Sequence, residues 1–314
     1  MSPKHLPRIG TAGWSYPHWN GIVYPAGRAT GPHALDLLAK QFDLVEINSS
    51  FYQSLKPELV KLWMKKVEFN PNFQFTAKLH QQFTHGRILE EAEIAVFKDG
   101  IRPLLNGNRL GALLMQFPWS FRFTAENREF FIKLRRAFGE YPLVAEMRHS
   151  SWMAEEAIGT FIDYRVGFCN IDQPNYTRAM PPTAFLTSGI GYVRLHGRNP
   201  QNSLGAFDRA RDQRVARMRQ HDYLYSEAEL AEWLKRIEHI DRYAESTFVV
   251  FNNDAEAKSV VNALQLRAMI SGERPAAPKE LRRRYPLELQ QYGPGYAEQQ
   301  SLFSAAASLD QEAA

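Results

Sequence analysis

Eight short apolar runs recur along the chain, and nearly all of them end in polar or charged residues. They are Arg8–Gly13, Asp43–Asn48, Phe73–His80, Leu110–Phe117, Leu143–Arg148, Val166–Asp172, Gly191–His196 and Thr247–Asn252. Helix-patterned or loop-rich stretches separate them, and a helix pattern follows the last. Strand then helix, repeated eight times, is the sequence form of a (β/α)₈ barrel, an α/β fold of TIM type. The pattern predicts one barrel domain over 1–272 and a C-terminal arm with a frayed tail over 273–314. In such barrels the carboxyl ends of the strands form the functional rim, so the polar run ends point to a site.

Side chains alternate faces along a strand with period two. In Leu44–Asn48, Val45 and Ile47 then lie under the helices, and Glu46 and Asn48 face the barrel axis. The same reading turns Thr76, Lys78 and His80 inward, with Glu146 and Arg148, Asn170 and Asp172, and Arg194 and His196. Cys169, by its apolar character, is assigned to the outer face as a buried, inert thiol. Barrel interiors are normally packed with Val, Ile and Leu, and an unpaired buried ion costs several kcal/mol. Charges on the axial face must therefore pair with one another or with a ligand.

Several helices announce their ends. Pro57 opens one whose Val60, Trp63, Met64 and Val67 follow the i, i+3, i+4, i+7 period. Thr124 caps another, and Ser226 with Glu229 forms a capping box. Asn253 or Asp254 is expected to cap the last. Residues 173–190, with Pro174, Pro181 and Pro182, show little helical period. No apolar run reaches the roughly 18–20 residues of a membrane span, and the start lacks an apolar signal region. One cysteine excludes an intramolecular disulfide and a multi-cysteine zinc site. The expectation is a cytoplasmic protein with no membrane partner. The net charge of +4 is local: between Gly197 and Gln220 six arginines (198, 209, 211, 214, 217 and 219) stand against Asp208 and Asp212. This is one basic segment after the seventh strand, unlike the pervasive basicity of a dedicated nucleic-acid binder.

Six motifs carry a resemblance. They are Gly10-Thr-Ala-Gly13-Trp14-Ser15-Tyr16-Pro17-His18-Trp19, Val45-Glu46-Ile47-Asn48-Ser49-Ser50-Phe51-Tyr52 and Glu146-Met147-Arg148-His149-Ser150-Ser151-Trp152. Tyr192-Val193-Arg194-Leu195-His196-Gly197-Arg198, Asp222-Tyr223-Leu224-Tyr225-Ser226 and Phe251-Asn252-Asn253-Asp254-Ala255 complete the set. In this order they resemble the YecE-like family, catalogued as domain of unknown function 72, from residue 9 to about 270. The resemblance implies a TIM-type barrel and no particular reaction. The stretch Arg209–Arg219 departs from it, since more Trp and acidic residues are expected there.

The rim residues carry two readings each. Glu46, Glu146 and Asp172 serve as acid–base groups or ligands of a divalent metal, or else pair with cations in a structural network. His80 and His196 suit proton transfer, with metal ligation as the alternative. Lys78, Arg148, Arg194 and Arg198 suit an anion, and phosphate often sits near strands seven and eight, where Arg194, Arg198 and the helix start at Asn252–Asn253 lie. Trp14, with Tyr16, Trp19 and Tyr24, either stacks on a ligand or plugs the barrel mouth. The catalytic candidates are thus Glu46, Glu146, Asp172 and His196. The ligand-binding candidates are Trp14, Asn48, Lys78, His80, Arg148, Arg194, Arg198 and Asn252. The leading reading is an acid–base enzyme, with or without a metal, on an anionic ligand: a phosphorylated sugar, a nucleotide or a nucleic-acid end. The alternatives are a nucleic-acid-binding module that uses loop 198–219, and a glycosidase. On the leading reading, Glu146→Gln is expected to leave melting unchanged or raised.

Overall fold

The computed structural model describes residues 6–26, 32–199 and 221–293. Eight parallel strands close into a barrel in sequence order: β1 Arg8–Ala12, β2 Leu44–Ile47, β3 Gln74–Lys78, β4 Leu110–Gln116, β5 Leu143–Glu146, β6 Gly167–Asp172, β7 Ile190–Leu195 and β8 Ser246–Phe251. Closure is direct, since β1 pairs with β8 through Arg8 to Phe248 and Thr11 to Phe251. Every strand falls within an expected run or one residue beyond it.

The helices that cover this barrel are α1 Ala34–Leu38, α2 Pro57–Lys66, α3 Gln81–Thr84, α4 Glu91–Asn106, α5 Ala125–Ala137, α6 Glu155–Asp163, α7 Glu227–Asp241 and α8 Lys258–Ser271. Thr124 caps α5 by accepting from the Asn127 N–H, and the Ser226–Glu229 capping box opens α7. The expected Asn253 or Asp254 cap of α8 does not form. A 3-10 turn at Ala255–Ala257 precedes that helix, and Ala257 stands at its start in the left-handed region. No described helix joins β6 to β7, in keeping with the prolines there. Part of the arm folds back: α9 Lys279–Arg284 and α10 Pro286–Leu289 bury Leu281 and Leu289, and the Tyr285 hydroxyl donates to the Glu256 carbonyl.

Apolar side chains such as Val45, Ile47, Phe75, Leu113 and Ala145 fill the layer between barrel and helices. Inside, Phe248 occupies the amino-terminal end. A register shift in β3–β4 brings Gly111 against it, where an added Cβ would lie 2.5 Å from the ring. Gly13 ends β1 at φ +83°, a turn that a side chain would strain. The carboxyl end is the part left polar.

Strand six corrects the alternation. Its register pairs Cys169 with Tyr192 and Ile171 with Arg194, so these share the inner face. The Cys169 thiol lies 3.9 Å from Glu146 Oε2, inside the barrel. Asn170 and Asp172 point outward instead. The 173–189 segment takes the place of a helix and supplies Asn170 with backbone and hydroxyl partners at Phe185 and Thr183. Polar side chains on that outer face therefore cost little, because loop backbone satisfies them.

Candidate active site at the barrel mouth

Arg194 is the hub. It is fully buried, and its guanidinium grips Glu46 as a fork, with Nε 3.0 Å from Oε2 and Nη2 2.7 Å from Oε1. Its Nη1 donates to Glu146 Oε2 at 2.6 Å. Tyr192, two residues earlier on the same face, donates to Glu46 Oε2 at 3.0 Å and lies 3.0 Å from Thr76 Oγ1. Burial works against the charge of Arg194, but Glu46 and Glu146 outweigh it and raise its pKa. Burial likewise opposes ionisation of Glu146, yet Arg148, Arg194 and His196 hold it well below the usual carboxylate range. Arg148 Nε stands 2.6 Å from Glu146 Oε1, and Arg148 Nη1 donates to Gln173 Oε1.

His196 lies 3.4 Å from Glu146 Oε1 through Nε2 and 2.9 Å from Asn252 Nδ2 through Nδ1. Burial and then Arg148 drive its pKa well below 6.5, so the ring is neutral. Lys78 closes the set. Its ammonium is 3.8 Å from Glu46 Oε1 and 5.6 Å from the centre of the Phe51 ring, with 12% of the side chain exposed. Burial and the Arg194 charge pull its pKa down to about 8.

Glu46 and Glu146 balance Arg194 and Arg148, Lys78 is a third cation over the pair, and Asp254 on the β8 side is a third carboxylate that feels its charge. The neighbouring histidines add no further positive charge. His221 is held down to about 3 by burial, Lys78 and the two arginines, and His85 is lowered by burial, Arg148 and Lys78. On the β8 side, burial raises Asp254 to about 6 although His18, 3.7 Å away, opposes this. Tyr16 donates to the Ala12 carbonyl at 2.5 Å and receives the Asn48 amide at 3.3 Å.

The structure thus brings together Glu46, Asn48, Lys78, Glu146, Arg148, Arg194, His196 and Asn252. Four expected site residues stand apart. Asp172, on the outer face, pairs with Arg198 at 2.8 Å, and Arg198 also reaches Glu229 at 3.0 Å at the start of α7. That pair ties strand to helix, so neither residue faces the axis. Trp14 is only 7% exposed and packs edge-on against Trp63 of α2, which makes it part of the plug. His80 is occupied as the cap of α3, where Nδ1 accepts from the Gln82 N–H. The expected phosphate site of Arg194, Arg198 and the Asn252–Asn253 helix start is not assembled. Arg194 faces the carboxylates, Arg198 turns outward, and Asn253 donates to Tyr223 and Asn262. Of the Arg-rich loop, residues 200–220 lie outside the described residues.

Among the described residues no three His, Cys, Asp or Glu side chains converge as metal ligands. Glu46 and Glu146 spend their oxygens on guanidinium groups, so this donor set does not fit a divalent cation. Tyr192 was within reach of the period-two reading, being on the face of Arg194. His221, which follows the Arg-rich stretch, carries no sequence signal. Asp254 reads in sequence only as a helix cap.

The commitment of Glu146 to two arginines reverses the expectation for Glu146→Gln. Neutralising it leaves buried cations uncompensated and is expected to cost about 3–5 kcal/mol at pH 7. The depressed carboxyl stabilises the fold above its unfolded pKa near 4.5, and that contribution is lost as pH falls through the lower folded value. Urea unfolding should show the largest gap between parent and variant near neutrality and a narrowing gap in acid.

The fold and this rim define a (β/α)₈ barrel with a charged, recessed mouth. The chain belongs to the family described as protein of unknown function DUF72, which matches residues 8–284. It is 27% identical over 290 residues to the UPF0759 protein YunF of Bacillus subtilis, covering 87% of this chain and 98% of that one. It is also 27% identical over 149 residues to the UPF0759 protein YecE of Escherichia coli, covering 47% of this chain and 50% of that one. A DUF72 family protein from Thermotoga maritima has a similar crystal structure, with a TM-score of 0.74 at 29% identity, covering 85% of this chain and all of the other. Another from Enterococcus faecalis gives 0.73 at 25% identity, covering 85% and 96%. No described helix is long and apolar enough to cross a membrane.

Proposed function

We propose that the mouth of this barrel binds the phosphate group of an anionic ligand and carries out acid–base chemistry on it. The observation that carries the reading is Lys78, a recessed cation whose pKa lies near 8 and which stands 3.8 Å from a Glu46 that Arg194 already grips. A desolvated ammonium with so loose a partner is destabilising by itself, and an incoming anion offsets this. Arg148, 18% exposed beside it, spends Nε on Glu146 and Nη1 on Gln173 and has Nη2 to offer an anion. A lysine near 8 has both protonation states populated at physiological pH, as a proton carrier requires. Lys78 therefore takes the acid–base role in place of Glu46 and Glu146, which arginine holds. His196 stays neutral and orients Glu146.

One feature favours a small anion over a nucleic-acid strand: Lys78 and Arg148 are recessed, with 12% and 18% of their side chains exposed, whereas a phosphate backbone is followed by exposed cations. Against a glycosidase stands the full burial of both carboxylates on one guanidinium, since that chemistry needs two accessible carboxyls flanking the bond.

The reading is tested by melting the protein in phosphate, pyrophosphate or sulfate against chloride at matched ionic strength. At about a hundred times Kd a ligand of the folded state stabilises it by about 2.7 kcal/mol, a rise of several degrees. Equal melting in all four salts would rule out an anion site at the mouth.

A further inference from the structure

Six buried polar atoms around the carboxyl ends of the strands have no hydrogen-bond partner among the described residues: Asn48 Oδ1, Gln116 Oε1, Trp119 Nε1, Glu146 Oε1, His221 Nδ1 and Asn253 Oδ1, of which Glu146 Oε1 is ion-paired with Arg148. Such atoms are costly and few in folded proteins, so several in one place call for an account. Asn48 follows β2, whose Ile47 is in register with Ala77, and so stands beside Lys78. Its Nδ2 donates to Tyr16, which leaves Oδ1 as the free end of the amide. Gln116 ends β4 in register with Glu146, so its side chain shares the inner face with that carboxylate. Trp119, three residues further, lies beside His149 and Tyr176, with ring centres 5.1 and 6.5 Å away.

Resting on the anion reading, we infer that the ligand is a phosphorylated sugar, whose hydroxyl groups donate to Asn48 Oδ1 and Gln116 Oε1 and accept from Trp119 Nε1. The two amide oxygens can only accept, and they stand on β2 and β4, on either side of the strand that carries Lys78. A bound phosphate thus has an unmet acceptor on each side. Hydroxyls spread along a carbon chain can donate to both oxygens and accept from the indole as well. Bare phosphate leaves all three atoms unmet. Glu46 does not compete for these hydroxyls, because Arg194 and Tyr192 occupy both its oxygens, whereas Glu146 Oε1, ion-paired with Arg148 without a hydrogen bond, is a further acceptor.

The test is calorimetric titration with ribose 5-phosphate, with AMP, and with propyl phosphate, which has the same anion and no hydroxyls. Ribose 5-phosphate is expected to bind at least about tenfold tighter than propyl phosphate and tighter than AMP. Asn48→Leu and Gln116→Leu should each lower the ratio of ribose 5-phosphate to propyl phosphate affinity by roughly tenfold. Gln116→Leu should melt at or above the parent, because it removes an unpaired buried amide oxygen, whereas Asn48→Leu also gives up the bond to Tyr16. Equal affinities, tighter binding of AMP, an unchanged ratio in both variants, or a clear fall in the melting temperature of Gln116→Leu would each overturn the assignment. If neither inorganic phosphate nor any of the three compounds binds, the anion reading fails and takes this inference with it. If phosphate binds and the hydroxyls add nothing, this inference alone fails.

Discussion

Arg194→Met is expected to cost at least about 3–5 kcal/mol, a large share of a domain's total stability. The substitution keeps most of the side-chain volume and removes the one cation that two fully buried carboxylates share. Glu46 is then left with Lys78 at 3.8 Å, and Glu146 with Arg148. The variant should also depend less on pH than the parent. In the parent, Glu146 titrates below its unfolded value, so its contribution is present at neutral pH and lost in acid. Without Arg194 that depression is smaller, because Arg148 and His196 alone remain against burial, so less stability is lost as pH falls. Urea midpoints in acid and at pH 8 check this: the gap between parent and variant should narrow in acid. A variant as stable as the parent at pH 8 would show that Arg194 is not the hub.

Lys78→Met is expected to do the reverse for stability and to abolish the anion response. A lysine that titrates near 8 instead of 10.5 is penalised by burial while charged, on the order of 3 kcal/mol. Methionine beside Phe51 carries no such penalty, so at pH 7 the variant should melt well above the parent. The sign is fixed by the lowered pKa: the unfolded chain holds this proton more tightly, so the parent gains stability between pH 8 and 10.5 and the gap to the variant closes there. Thermal melts of both proteins at pH 7 and pH 10 measure it. With the cation gone, phosphate and sulfate should no longer raise the melting temperature. A variant that melts below the parent would make Lys78 a structural partner of Glu46 and remove the argument for an anion site.

Much of this site is legible in the sequence because period-two alternation is rigid. It brings Glu46, Glu146, Arg194 and His196 onto one face without any knowledge of contacts, and Tyr192 with them. Polarity misleads where the outer face has no helix. Cys169 looks apolar and Asp172 polar, yet the thiol faces the barrel and the carboxylate faces α7, because the 173–189 segment and Arg198 satisfy the outer side. Alternation also leaves open which charges are consumed. That Glu146 belongs to Arg148 and Arg194, and that Lys78 has only the looser contact with Glu46, follows only from the distances. Asn48 and Gln116 stand out because their oxygens lack partners, which residue type alone does not reveal.

The claim that Lys78 receives the anion is tested most directly by sulfate affinity between pH 7 and pH 10, where the charge of sulfate is constant. If the ammonium holds the anion, calorimetry will show constant affinity up to about pH 8. Above that, affinity will fall by up to about tenfold per pH unit as the free lysine loses its proton. Affinity that stays flat to pH 10, or that survives in Lys78→Met, would contradict the account.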